Sequence, residues 1–118
     1  MIGEAKLREL RSALEAQRDN LRREITEQGG SPDVDEADID VERGFADSAH
    51  STAERARMLS VMKALRANLR WVDRALTKME LGTYGVCERC GRPIAIERLD
   101  ALPWAILCID CKRAGEGR

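Results

Sequence analysis

Two C-x2-C pairs near the end of the chain, Cys87-Glu88-Arg89-Cys90 and Cys108-Ile109-Asp110-Cys111, constrain this sequence more than any other feature. Seventeen residues separate them. Two sulfurs on one short turn can reach the same ion, and the longer connection brings the second turn round to its other side. Zinc prefers four tetrahedral ligands and accepts thiolates readily, so the spacing predicts one Zn2+ held by Cys87, Cys90, Cys108 and Cys111. Four protein ligands leave no open position, which makes the metal structural and not catalytic. Gly91, directly after Cys90, lets the first turn close tightly. A dithiol redox couple is the rival use of C-x-x-C, but it calls for a βαβ context that is missing here. A zinc–thiolate sensor that releases its metal on oxidation stays open as an alternative.

A module of this size cannot fold on apolar burial alone, so metal binding and folding are expected to be coupled. Leu99, Leu102, Trp104, Ile106 and Leu107 supply a mini-core around the metal, and Ile94-Ala95-Ile96 is β-prone.

Upstream, the pattern is helical. Met58, Met62, Leu65, Leu69, Val72, Leu76 and Met79 alternate spacings of four and three, a heptad seam. This helix is expected from about Ser48 to Leu81, roughly 50 Å at about 1.5 Å per residue. Asp47 or Ser48 can cap it, Ser51-Thr52-Ala53-Glu54 fits a capping box one turn later, and Gly82 follows its end. Residues 4–28 carry a matching stripe of Leu7, Leu10, Leu14, Leu21 and Ile25, interrupted by Gln17 and stopped by Gly29-Gly30. Two such stripes in one chain predict an antiparallel coiled-coil hairpin; the alternative is a dimer through the long helix. Trp71 neighbours the seam position Val72, so register puts it outside the seam, where it can cover the helix against the zinc module. The tail from Ala114 to Arg118 is expected to fray.

Between the helices lies a different material. Ser31 to Asp47 carries Asp33, Asp35, Glu36, Asp38, Asp40, Glu42 and Asp47 against one base, Arg43. Its apolar residues keep no period, which predicts a loop with helical turns. An acidic free end suits basic surfaces or metal ions held by a partner. Asp47 can also act only as a helix cap, Ala49 only as a helix former, and His50 as an exposed helix residue.

Composition excludes several functions. The formal charge is −1 and aromatic residues make up 3% of the chain, which argues against bulk attraction to nucleic acid and against base stacking. A DNA-binding zinc-finger protein is the alternative to a protein-binding regulator. Arg89, Arg92, Arg98, Lys112 and Arg113 give the finger positive charge, but Glu88, Glu97, Asp100 and Asp110 offset most of it. No nucleophile with its base and no phosphate-binding glycine loop can be found, so an enzyme is not expected. The sequence offers neither a signal peptide nor a bilayer-spanning apolar stretch, which points to a cytoplasmic protein without membrane contact.

The finger residues resemble a known signature. Tyr84-Gly85-Val86-Cys87-Glu88-Arg89-Cys90-Gly91, then Ile94, Ile96-Glu97-Arg98-Leu99, Ala101, Pro103 and Leu107-Cys108-Ile109-Asp110-Cys111-Lys112, look like the zinc finger of the DksA/TraR family. The match runs from about Asp47 to Lys112. With both stripes paired in one hairpin, a monomer is expected. The resemblance implies a protein that binds bacterial RNA polymerase and inserts its coiled-coil tip into the secondary channel to modulate promoter complexes. It implies no direct sequence-specific DNA binding. It also implies a tip of two acids three apart, with an alanine two beyond the second. The second acid falls on Asp47 and the alanine on Ala49, while the first falls on Gly44, which brings no carboxylate. Some members act together with the alarmone ppGpp in the stringent response. Of the basic residues they use, two positions fall on Ala64 and Trp71 here and only Lys112 keeps its character, so the expected ppGpp response is weak or absent.

The expected fold is therefore mainly α: an antiparallel coiled-coil helical hairpin over residues 1–81, with its acidic tip at about 29–48, followed by a small four-cysteine zinc finger and tail over 82–118.

Overall fold

The heptad stripes become helices where they were expected. The computed structural model describes residues 2–33 and 51–116. Among these, α1 spans Glu4–Glu27 and α2 spans Thr52–Leu81. Two short helices, α3 (Ile96–Ala101) and α4 (Ile109–Glu116), belong to the finger. Among the described residues there is no strand, only an isolated antiparallel bridge between Val86 and Pro93. The fold is an antiparallel helical hairpin followed by a small four-cysteine finger. Among the described residues, no helix is long and apolar enough to cross a membrane.

The ends of the helices follow from local chemistry. Gly29 takes φ +91°, and two backbone bonds close the end of α1, Gly30 N–H to Ile25 O and Gly29 N–H to Thr26 O. This is the 6→1 and 5→2 pattern of a glycine-terminated helix, which satisfies carbonyls the helix itself leaves unpaired. The same pair of bonds closes α2, from Thr83 to Lys78 and from Gly82 to Met79. At the start of α2 the Ser51 hydroxyl accepts the Glu54 N–H at 3.2 Å. The described helix begins at its capping box, at Thr52, and the expected start at about Ser48 lies outside the described residues.

Two compact units divide the chain. The first combines Met1–Gln17 with Trp71–Arg118. In it Leu10 and Leu14 of α1 and Val72, Ala75 and Met79 of α2 are buried, as are Ile94, Leu99, Ala105 and Ile106 of the finger. Lys6 of α1 pairs with Asp100 at the end of α3. The Tyr84 hydroxyl donates to Pro103 O at 2.8 Å, and burial pushes its pKa up to about 12, so it stays a neutral donor.

The second unit is Arg18–Arg70. Among its described residues, Leu21 and Ile25 of α1 and Met62 and Leu69 of α2 are the buried apolar ones. Arg66 is buried among them, 4% exposed, and its guanidinium donates to Ser31 O at 2.8 Å. Burial lowers the Arg66 pKa, yet the group stays charged. Arg22 holds Asp33 at 2.8 Å. Both helices thus grip the stretch 31–33 that leaves α1.

Two stretches of the finger take their form from local contacts. The β-prone run Ile94-Ala95-Ile96 forms no strand. Pro93 takes the bridge position, and Ile96 opens α3, because Ala95 O accepts the N–H groups of both Arg98 and Leu99 and turns Leu99 into the core. Helix α4 runs on through Ala114 to Glu116, with Asp110 in its first turn and Arg113 in its last, each sign opposing the helix dipole; the rest of the tail expected to fray lies outside the described residues.

Candidate metal centre

The first cysteine turn is built immediately after α2. Past Gly82 the chain doubles back: Ile94 N–H donates to Gly85 O at 2.7 Å and Cys87 N–H to Arg92 O at 2.8 Å. Inside that loop Gly91 N–H donates to Cys87 O at 2.9 Å, closing the turn that carries Cys87 and Cys90. The second pair sits at the start of α4. Lys112 N–H donates to Cys108 O at 3.0 Å, the first turn of that helix, so Cys108 and Cys111 share one helical face. Glu88 N–H joins the two turns by donating to Ile106 O at 2.9 Å.

The four sulfurs all lie within 4.8 Å of one another. The Cys90 and Cys108 sulfurs are 3.7 Å apart. A tetrahedral ion with metal–sulfur bonds of about 2.3 Å has sulfur–sulfur edges of about 3.8 Å, whereas a disulfide needs about 2.05 Å. All four cysteines are free. The residues brought together thus fit a four-thiolate zinc site, and among the described residues no histidine or carboxylate joins the group.

Electrostatics point the same way. Burial pushes the Cys87 thiol up, but the backbone N–H groups of Cys108, Cys90 and Arg89 and the Cys90 side chain outweigh it and bring it down to about 6. Burial and then the neighbouring thiols of Cys108, Cys87 and Cys90 push Cys111 up to about 12. The pocket accepts one thiolate readily and resists the last, as expected where four like charges converge. A divalent cation removes that resistance by deprotonating its thiol ligands.

Lys112 is exposed on α4, next to Cys111. With Trp71, Arg98, Leu102 and Trp104 it borders a cleft of about 110 Å³. Trp71 is 45% exposed, outside the seam and against the finger, as its register predicts. The expected tip residues Asp47 and Ala49, with Gly44 and His50, lie outside the described residues. Sequence reasoning missed a charged cluster beside the first cysteine turn, made of Arg74, Lys78 and Glu88. Its one signal was a lysine in the last turn of α2, next to the seam position Met79.

Residues 82–116 match the family described as prokaryotic dksA/traR C4-type zinc finger. The RNA polymerase-binding transcription factor DksA of Escherichia coli strain K12 is 34% identical over 125 aligned residues, covering 99% of this chain and 76% of that protein. General stress protein 16O of Bacillus subtilis is 38% identical over 80 residues, 68% of this chain and 49% of that protein. The chain spans less than half the length of two of the curated relatives it matches, 31% and 49%. Among solved structures, transcription factor DksA2 of Pseudomonas aeruginosa superposes with a TM-score of 0.70 at 30% identity, covering 98% of this chain and 86% of that one.

Proposed function

The chain belongs to the DksA/TraR family, and on that premise we propose that it is a cytoplasmic transcription regulator that binds bacterial RNA polymerase. In this reading the coiled-coil tip enters the secondary channel of the enzyme and modulates promoter complexes. One structural Zn2+ on Cys87, Cys90, Cys108 and Cys111 holds the finger. The protein acts as a monomer and makes no sequence-specific contact with DNA. The observation that carries the proposal is the likeness to the Escherichia coli factor across nearly the whole chain, helices and finger together.

At the tip, Asp47 supplies the carboxylate and Ala49 the small neighbouring surface, while Gly44 contributes no charge. A tip with one acid of the expected two acts more weakly than a two-acid tip. Of the positions at which some relatives place basic residues for ppGpp, Ala64 and Trp71 carry no charge here and Lys112 keeps its character, so the alarmone changes the activity little.

The test is recovery of RNA polymerase from the native lysate with zinc-loaded wild type and with Asp47→Asn, followed by run-off transcription with each. Recovery by both, with a transcriptional effect from wild type alone, supports docking through the hairpin and finger and action through the tip. Failure of the zinc-loaded wild type to recover polymerase refutes the proposal.

A further inference from the structure

Lys78 is a lysine where lysine is rarely found. Its side chain is 8% exposed, near the end of α2. A buried ammonium group is costly unless acceptors surround it. Lys78 Nζ donates to Val86 O at 2.6 Å and lies 3.8 Å from Glu88 Oε1. Arg74, one turn earlier on the same face, donates from Nε to that same carboxylate oxygen at 2.7 Å. Val86 and Glu88 are the two residues that flank Cys87, itself 2% exposed. The long helix therefore holds the backbone on one side of the cysteine and the side chain on the other.

We propose that Lys78 and Arg74 are positioning residues for the zinc site, fixing the first cysteine turn from α2 through Val86 and Glu88. Neither residue touches the metal. They act by limiting how far Cys87 can move when a ligand bond opens, as groups around a metal's direct ligands do elsewhere. The coupling is reciprocal. Zinc holds the turn that gives Lys78 its acceptors, so loss of zinc leaves an ammonium group buried without them and loosens the last turns of α2. The inference rests on the four cysteines holding zinc.

The experiment uses the full-length zinc-loaded protein. Zinc content of wild type is measured first, because absence of zinc there refutes the metal assignment itself. Transfer of zinc to excess 4-(2-pyridylazo)resorcinol is then timed for Lys78→Met, Lys78→Arg, Arg74→Gln and Glu88→Gln. Arg113→Gln serves as control, removing one exposed charge from α4 outside the cluster. Hydrogen exchange of residues 76–91 is followed in parallel. Lys78→Met is expected to release zinc about 10-fold faster, with faster exchange around Cys87 before any zinc is lost. Arg74→Gln and Glu88→Gln are expected to release it a few-fold faster, with Lys78→Arg closer to wild type than Lys78→Met. Should Lys78→Met fail to fold, Glu88→Gln and Arg74→Gln carry the test. Zinc release at the wild-type rate from both of these, or equal acceleration by Arg113→Gln, overturns the proposal.

Discussion

A methyl group added at Gly85 meets two obstacles that can be measured apart. Gly85 has φ +85°, where an L side chain crowds its own backbone, at a cost of roughly 1–2 kcal/mol. Part of that is offset by the lower entropy of the unfolded alanine chain, about 0.4–1 kcal/mol. The second obstacle is steric. An added Cβ lies 2.8 Å from Ile2 Cδ1 and 3.7 Å from Leu99 Cδ1. The close contact is with the far end of a flexible side chain, so Ile2 must rotate, at a cost of about 0.5–1.5 kcal/mol. Gly85→Ala should therefore destabilise by about 1–2 kcal/mol in total. Gly91→Ala isolates the backbone cost, since Gly91 has φ +76° and nothing within 4 Å of its Cβ position. Urea unfolding at fixed free zinc, followed by tryptophan fluorescence, gives both values. Gly85→Ala should cost about 1 kcal/mol more than Gly91→Ala, and adding Ile2→Ala should remove that difference relative to Ile2→Ala alone. Equal costs for the two glycines, or a difference that survives Ile2→Ala, would show that Ile2 does not pack over the turn leading to Cys87.

Ser51→Ala removes the cap of α2 and should cost about 1 kcal/mol in thermal or urea unfolding; an unchanged midpoint would mean that Ser51 does not cap the helix. Leu99→Ala empties the centre of the finger, where Leu99 is fully buried, and should cost about 2–5 kcal/mol with weakened zinc retention; normal retention in a chelator competition would contradict the mini-core. Zinc uptake at pH 7 should release protons, because Cys111 at about 12 is protonated there and must lose its proton to bind, while Cys87 at about 6 is already mostly ionised. The bound form holds fewer protons, so affinity rises with pH and falls further below about pH 6 as Cys87 also protonates. Titration calorimetry in buffers of different ionisation enthalpy reads this directly, and heats that do not depend on buffer would refute it.

What the sequence discloses depends on how local the physics is. The cysteine spacing encodes ligand geometry, and the four sulfurs meet as that spacing requires. The heptad seam is nearly as direct: Met62, Leu69, Val72 and Met79 are buried, and Met58, Leu65 and Leu76 are half-buried. Ala75 joins the buried stripe unannounced, because alanine carries little signal in a hydrophobic pattern. Arg66 is harder to see. A heptad reading sends charged residues to solvent, but this one is buried because Ser31 O, thirty-five positions away in sequence, offers it an acceptor. Lys78 is the same case near the end of the helix, with Val86 O as its acceptor. Helix α3 owes its existence to Leu99 filling the finger core and to Ala95 O accepting two N–H groups, neither of which a six-residue window contains. Trp71 is legible as a residue outside the seam, although its neighbours Trp104 and Leu102 come from a part of the finger that only the fold brings near.

The finger also explains why metal and helix have to act together. Between Gly82 and Glu116 the buried hydrophobic side chains are Cys87, Ile94, Leu99, Ala105 and Ile106. Only three of these are large aliphatics, too little apolar surface to order thirty-five residues against their chain entropy. Most of the remaining order comes from directional contacts. Backbone bonds join Gly85 to Ile94, Cys87 to Arg92 and Glu88 to Ile106, and side-chain bonds run from Tyr84 to Pro103 and from Arg98 to Leu107. Such contacts specify one arrangement but contribute modest net stability each. A four-thiolate metal supplies what the apolar core lacks, since its binding energy becomes folding energy. It ties together only the two cysteine turns, however. The finger is also anchored from outside, by Lys6 of α1 on Asp100 at the end of α3, and by Arg74 and Lys78 of α2 on Glu88 in the first cysteine turn. The base of the hairpin is for this reason part of the same compact unit as the finger. Zinc loading, the pose of the first cysteine turn and the last turns of α2 are then parts of one equilibrium, and a change at any of them is felt at the other two.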